Sequence, residues 1–134
     1  ADIKEEESAL FREFGRRIGR AFQIQDDILE IFSDSKTMGK SLESDLVLGK
    51  KTFLMVNAEE QNSGFIDEVN KLISKNYSKG IIKVRKMFLD NGSYDAAKKL
   101  INENIKHAND ILKSLPYDTQ YLQYFSDLIG TRKF

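Results

Sequence analysis

The chain has no cysteine and no tryptophan, and only one proline and one histidine among 134 residues. The lack of cysteine excludes a disulfide framework and a thiolate metal site. A single histidine also argues against a zinc site built from imidazoles. Any metal site in this sequence therefore has to use oxygen ligands, which suit a hard cation such as Mg²⁺.

The chain also has no excess of charge of either sign, because its 21 basic residues balance its 21 acidic ones. No global basic field favours nucleic acid as a partner. No run approaches the roughly 20 apolar residues that span a bilayer, so we expect no stable membrane insertion. The acidic start Ala1–Glu7 is unlike a signal peptide, which favours a cytoplasmic location. Because the chain opens in a helical pattern without methionine, we expect it to be part of a longer protein.

Few glycines, one proline and regularly spaced aliphatic residues predict an all-α fold in one helical domain, residues 1–134. We expect about six helices. Their predicted extents are Asp2–Phe32, Thr52–Glu60, Phe65–Lys75, Lys79–Asp90, Tyr94–Leu115 with Ser93 as its N-cap, and a last helix capped by Asp118 or Thr119. A polar loop is expected between the first two, up to about Lys51.

The first predicted helix carries three carboxylates, Asp26, Asp27 and Glu30, which we call the acidic motif. At 3.6 residues per turn, Asp27 lies roughly 100° and Glu30 roughly 40° around the axis from Asp26. All three then project from one wedge, where one cation or a small cluster would reach them. The plain alternative is an exposed polar helix face, which is what such a pattern usually indicates.

Apolar residues on both flanks weaken that alternative. A broad face next to the acidic motif is predicted to be buried, and Ile24 and Ile31 lie on its other side. The residues of the broad face are Leu10, Phe11, Phe14, Ile18, Ala21, Phe22, Ile28, Leu29 and Phe32. The acidic motif thus reads as a polar strip in a mostly buried helix, which is typical of a functional site.

Glycines and lysines extend the pattern in both directions. Gly15, Gly19 and Gln23 continue the acidic stripe toward the N-terminus, where two interior glycines leave space either for a ligand or for a closely packed helix. Downstream, the lysines of Gly39-Lys40 and Gly49-Lys50 suggest that the chain binds a phosphate group.

The residues Phe14–Glu30, FGRRIGRAFQIQDDILE, followed by Gly39-Lys40, Asp45-Leu46 and Gly49-Lys50, resemble the second aspartate-rich region of the trans-isoprenyl diphosphate synthases. This is the polyprenyl synthetase family. The resemblance covers the C-terminal portion of such an enzyme, whose members are more than twice this length. It implies the C-terminal part of the isoprenoid synthase fold, an all-α helical bundle that usually forms a homodimer.

The resemblance also implies a reaction and roles for individual residues. Family members condense an allylic diphosphate with isopentenyl diphosphate, using Mg²⁺ held between two aspartate-rich motifs. By this resemblance Asp26 ligates Mg²⁺ directly, and Asp27 and Glu30 act through waters or by supporting the direct ligands. Gln23 and Lys40 hold the allylic diphosphate as it ionises, and Lys50 matches a further substrate-binding position.

The sequence departs from the family in two respects. The family usually has aspartate where this chain has Glu30, and no second DDxxD-like motif occurs in these 134 residues. The chain by itself is therefore expected to be inactive. The alternatives are a non-catalytic helical subunit that regulates or partners a prenyl diphosphate synthase, and a helical interaction domain with chance similarity. A class I terpene cyclase is disfavoured, since its second motif needs Ser or Thr at position 30.

Other basic residues are expected to have ordinary roles. Lys83, Arg85 and Lys86 are predicted to form a solvated helix face. Arg16, near the acidic stripe, is expected to pair with a carboxylate or with a neighbouring helix.

Overall fold

The computed structural model describes residues 3–33 and 50–132, which contain six α-helices and no β-strand. The all-α prediction is confirmed. The helices are α1 (Glu5–Phe32), α2 (Phe53–Gln61), α3 (Phe65–Lys75), α4 (Tyr77–Asp90), α5 (Ser93–Ser114) and α6 (Gln120–Gly130). In these two ranges no helix combines the length and the apolar character needed to cross a bilayer.

Side chains and glycine geometry set the ends of the middle helices. Thr52 is the N-cap of α2, and its hydroxyl accepts the Met55 N–H at 3.3 Å. Gly64 adopts φ 92° before α3, a left-handed conformation that favours glycine. The Asn76 side chain accepts the Lys79 N–H at 2.9 Å, so α4 begins at Tyr77, two residues before the predicted start.

The N-cap prediction for Ser93 is wrong. Helix α5 begins at Ser93 itself, and within the described ranges its buried hydroxyl has no hydrogen-bond partner. Asn91 provides the side-chain acceptor at this helix start instead, since its side-chain oxygen accepts the Ser93 N–H at 2.9 Å. Gly92 supplies the positive φ of 79° that the turn between α4 and α5 requires.

The chain divides into two compact units. One comprises the residues up to Gln23 together with those from Lys99 onward, and the other comprises Ile24–Lys98. Their boundaries fall inside α1 and α5, so both units share helices. The single domain stays a prediction.

The Ile24–Lys98 unit has an aromatic core. The rings of Phe65 on α3 and Phe88 on α4 lie 5.1 Å apart between centroids, and Phe88 is fully buried. Around them lie further buried side chains, namely Ile28, Ile31, Leu54, Met55, Val69, Ile73, Ile81 and Val84. Removing these apolar groups from water is the main force that stabilises the unit.

Helices α3 and α4 meet closely at Gly80. A Cβ at this position would lie 2.5 Å from the Leu72 carbonyl oxygen on α3, which is backbone and unable to swing away. Glycine is therefore required for this close approach rather than for a turn.

We expect Gly80→Ala to lower the free energy of unfolding by about 1–3 kcal/mol, because the methyl group forces the two helices apart. Urea denaturation measures the loss. Gly15→Ala is the matched control, since Gly15 is an exposed helix residue whose added Cβ meets no described atom within 4 Å. This control should be neutral or stabilising by up to ~1 kcal/mol. Equal effects of the two substitutions would contradict the packing at Gly80.

The other unit contains the N-terminal part of α1 and most of α5. Its buried apolar residues are Phe14, Ile18, Ala21, Ile101, Ala108, Ile111, Leu112, Leu115 and Ile129. Phe22, predicted to be buried, is 44% exposed instead. The Arg132 guanidinium lies 4.9 Å from the centre of its ring. A cation over the face of an aromatic ring is attracted to it, which stabilises the partly exposed ring of Phe22.

Candidate functional site

The acidic motif lies near the C-terminal end of α1, at the border of the apolar core. Asp26, Asp27 and Glu30 are each half-buried. The isoleucines between and beside them, Ile24, Ile28 and Ile31, are 4%, 0% and 1% exposed. The predicted polar strip among buried residues therefore holds for the end of α1, where no residue from Ile24 to Phe32 is exposed, but α1 as a whole is not a mostly buried helix.

Asp27 links the motif to the start of α2. Its Oδ2 accepts the backbone N–H of Phe53, the first residue of α2, at 3.3 Å. Burial raises the pKa of the Asp27 carboxyl, the nearby charge of Asp26 raises it further, and the Phe53 N–H and Lys50 lower it without cancelling the rise. A carboxylate in this position favours a compensating positive charge.

Lys50 lies close enough for its ammonium group to act on Asp27, while remaining exposed itself. The chain thus brings one of its predicted phosphate-binding lysines to the acidic motif. Lys40 lies outside the described residues, as do the other members of the two Gly-Lys pairs, Gly39 and Gly49. The predicted role of Lys40 therefore stays a prediction.

Arg85 holds the end of the helix that carries the motif. Its Nε donates to the Ile31 carbonyl and a terminal nitrogen donates to the Ser33 carbonyl, each at 2.6 Å. These contacts satisfy backbone oxygens that a helix C-terminus leaves unpaired, and they place a positive charge at the negative end of the helix dipole. The prediction of a solvated face is thus wrong for Arg85, because these carbonyls lie within reach of α4.

The carboxylates of the acidic motif do not by themselves surround a metal ion. Within residues 3–33 and 50–132 no group of three or more acidic or histidine side chains is arranged to hold one ion. The acidic motif therefore does not form a complete protein cage. Mg²⁺ does not require one, because it keeps several waters and takes one or two carboxylates together with phosphate oxygens. The oxygen donors and the half-buried Asp27 fit this mode of binding.

The N-terminal part of the predicted stripe is open to solvent. Gln23, three residues before Asp26 on α1, is exposed, and so are Gly15 and Gly19. A Cβ at either glycine would meet no atom within 4 Å in the described parts of the chain. The closely packed helix that was the plain explanation for these glycines is therefore not found among the described residues.

Three features of the structure were missed in the sequence. The hydrogen bond of the Phe53 N–H to Asp27 could not be predicted, because a backbone group leaves no mark in the sequence. The contact of Arg85 with the end of α1 could not be predicted either, because the sequence around Arg85 is that of an ordinary exposed helix face. Asn104 is different: it is 1% exposed and occupies a position in the apolar repeat of α5, between Ile101 and Ala108. A polar residue in that register signals a buried hydrogen-bonding role.

Comparison with known proteins places these features in a family. Residues 1–88 match the family model described as polyprenyl synthetase. The geranylfarnesyl diphosphate synthase of Natronomonas pharaonis is 33% identical over 124 residues, which are 90% of this chain and 35% of that protein. A short chain isoprenyl diphosphate synthase of Methanocaldococcus jannaschii is 47% identical over 58 residues, 43% of this chain and 18% of that protein.

Solved structures agree with the sequence matches. The crystal structure of geranylgeranyl pyrophosphate synthetase from Pyrococcus horikoshii superposes with a TM-score of 0.80 at 29% identity, covering 97% of this chain and 41% of that one. The chain therefore has the all-α isoprenoid synthase fold, and it spans well under half the length of the relatives it matches. These matches exclude the alternative of a helical interaction domain whose similarity to the family arises by chance. With most of its length matching the family model, the chain belongs to the polyprenyl synthetase family.

Proposed function

We propose that this chain supplies one half of a site at which a prenyl diphosphate synthase ionises an allylic diphosphate and condenses it with isopentenyl diphosphate. The product is a longer isoprenyl diphosphate. The observation that carries the proposal is the half-buried Asp27 carboxylate, held by the first N–H of α2 and facing the charge of Lys50. Carboxylates and an ammonium group at the edge of an apolar core suit a metal-bound diphosphate.

Each polar residue has a separate task in this proposal. When Mg²⁺ is bound, Asp26 would ligate it directly, and Asp27 and Glu30 would act on it through waters. Glu30 is one methylene longer than the aspartate usual in the family, and a water-mediated contact tolerates that difference better than direct ligation does.

Gln23, Lys40 and Lys50 act on the substrate. The Gln23 amide and the Lys40 ammonium donate to oxygens of the allylic diphosphate, and Lys50 adds positive charge near the acidic motif. As the carbon–oxygen bond breaks, negative charge grows on the departing diphosphate, and these donors stabilise it more strongly than in the ground state. Bound Mg²⁺ supplies further neutralisation of the leaving group.

The buried isoleucines beside the motif have a task as well. Ile24, Ile28 and Ile31 are buried in the core, and their packing fixes the part of α1 that carries the acidic motif. The apolar cavity of the complete site would keep water from quenching the allylic cation before the double bond of isopentenyl diphosphate attacks it.

We further infer that the 134-residue chain alone gives no measurable turnover, because it contains only one aspartate-rich motif. The resemblance also supports a homodimeric, cytoplasmic enzyme. Robust turnover by the purified chain would refute the inference of an incomplete site.

Calorimetric titration with pyrophosphate, with and without Mg²⁺, tests the proposal on the chain itself. We expect pyrophosphate to bind more tightly with Mg²⁺ than in EDTA. Asp26→Asn should lower the affinity measured with Mg²⁺ at least tenfold. Asp110→Asn is the control, because Asp110 is exposed on α5 and far in sequence from the motif. Mg²⁺-dependent binding that survives Asp26→Asn unchanged would contradict the assignment.

A further inference from the structure

A second polar site lies in the unit that combines the start of α1 with most of α5. A cavity of about 300 Å³ is lined by Arg16, Arg17, Arg20 and Asn104, and we call it the arginine cavity. All three arginines lie on α1 before the acidic motif, and Arg20 is six residues from Asp26. The proposed diphosphate site uses none of them.

Neighbouring side chains hold two of these arginines in place. Glu13 accepts from the Nε of Arg16 at 2.9 Å and from the Nε of Arg17 at 2.7 Å. A terminal nitrogen of Arg17 also donates to the Asn104 Oδ1 at 3.4 Å. Asn104 is buried, and its Nδ2 donates to the Leu100 carbonyl at 2.8 Å, which fixes the amide with its oxygen toward Arg17.

The charges around the cavity are unbalanced. Among the described residues, Arg16 and Arg17 both pair with the one carboxylate of Glu13, and Arg20 adds a third guanidinium group to the lining, so positive charge is in excess there. Arg20 makes no hydrogen bond or ion pair with any residue in ranges 3–33 and 50–132. Arg16 and Arg20 are four residues apart on one helix, where like charges repel. A bound anion would remove this repulsion and would occupy the unused donors of Arg20.

The chemistry of the lining residues identifies the kind of anion. A guanidinium group presents a planar fork of N–H donors that matches two oxygens of one phosphate group. Arg20 offers its whole fork, and Arg16 and Arg17 add the N–H donors that Glu13 and Asn104 leave unused, around a space of about 300 Å³ that suits a phosphate or diphosphate group better than a single carboxylate. We propose that the arginine cavity binds a phosphate-bearing anion without a metal ion, as a site separate from the acidic motif.

The test uses pyrophosphate as the probe, at low salt and with EDTA present so that the acidic motif has no Mg²⁺. We expect calorimetry to show binding to the full 134-residue chain, a loss of about tenfold in affinity in Arg20→Gln, and a smaller loss in Arg20→Lys. Arg12→Gln is the matched control. Arg12 lies on the same helix, donates to the Ser8 hydroxyl at 2.9 Å, and does not line the cavity. Its affinity should stay within about twofold of the parent.

Vesicles distinguish a free phosphate from a lipid headgroup. Co-sedimentation with phosphatidylcholine vesicles that contain phosphatidic acid should detect headgroup binding, again lost in Arg20→Gln. Loss of binding in Arg20→Gln with either probe supports the proposal and names the source of the phosphate. No binding of either probe, or equal binding by Arg20→Gln and Arg12→Gln, overturns it.

Two controls keep this outcome independent of the proposed catalytic function. Thermal melts should show that Arg20→Gln stays folded, as expected for an exposed side chain. Asp26→Asn should leave binding in EDTA unchanged. If the arginine cavity binds nothing while Mg²⁺-dependent binding at the acidic motif persists, only the inference about the cavity fails.

Discussion

Asp27→Asn should abolish most of the response of the chain to Mg²⁺ while leaving its fold intact. With pyrophosphate present, we expect the apparent affinity for Mg²⁺ to fall ten- to hundredfold, the range seen when a group that orients metal-bound water is lost. Without metal, the melting temperature should not fall. Asparagine can still accept the Phe53 N–H, and it removes a charge whose burial raises the pKa of the carboxyl.

Thermal melts with and without Mg²⁺ and pyrophosphate measure both parts of this expectation. Asp27→Ala is the informative companion, because it removes the acceptor for Phe53 as well as the charge. It should lose the Mg²⁺ response and also lose stability, since the start of α2 is left with an unpaired N–H. An Asp27→Asn variant whose melting temperature rises with Mg²⁺ as much as the parent's would show that Asp27 has no part in metal binding.

Phe88→Ala should give the largest loss of stability in the chain. Phe88 is fully buried and its ring packs 5.1 Å from that of Phe65. Truncation removes this contact and leaves a cavity, which costs about 3–5 kcal/mol for a core phenylalanine. Urea denaturation with far-UV circular dichroism measures the change.

Phe125→Ala is the matched control for Phe88→Ala. Phe125 lies on α6 and is 50% exposed, so its removal takes little apolar area out of the fold. We expect a loss of under ~1 kcal/mol. Equal losses in the two variants would contradict the placement of Phe88 in the core of the Ile24–Lys98 unit.

The ends of helices were predictable where glycine or another turn-forming residue marks them in the sequence. Helix α3 was predicted at its observed limits, Phe65–Lys75, because Gly64 precedes it and its apolar residues follow the helical period. The start of α4 was missed by two residues, since the Asn76 side chain caps a turn that the apolar pattern does not mark. The start of α5 was predicted one residue late, at Tyr94, because the side chain of Asn91 and not that of Ser93 accepts a backbone N–H at this end of the helix.

The candidate site was predictable only in part, for a related reason. The acidic motif and its buried isoleucines follow from helical periodicity on one element. The contacts of Asp27 with Phe53 and of Arg85 with the end of α1 join residues 26 or more positions apart, and no periodic pattern encodes them. Phe22 is exposed although its position follows the period, because periodicity indicates which residues can be buried and not how far the neighbouring element extends.

Paramagnetic broadening tests the central claim most directly, namely that the acidic motif holds a metal-bound diphosphate. Mn²⁺ shares the oxygen preference of Mg²⁺ and broadens NMR signals of nearby nuclei. With pyrophosphate present, substoichiometric Mn²⁺ should broaden the backbone amide signals of residues 23–30 and Lys50 first, and excess Mg²⁺ should restore them. Broadening that spares these residues, or that Mg²⁺ does not reverse, would contradict the assignment of the site.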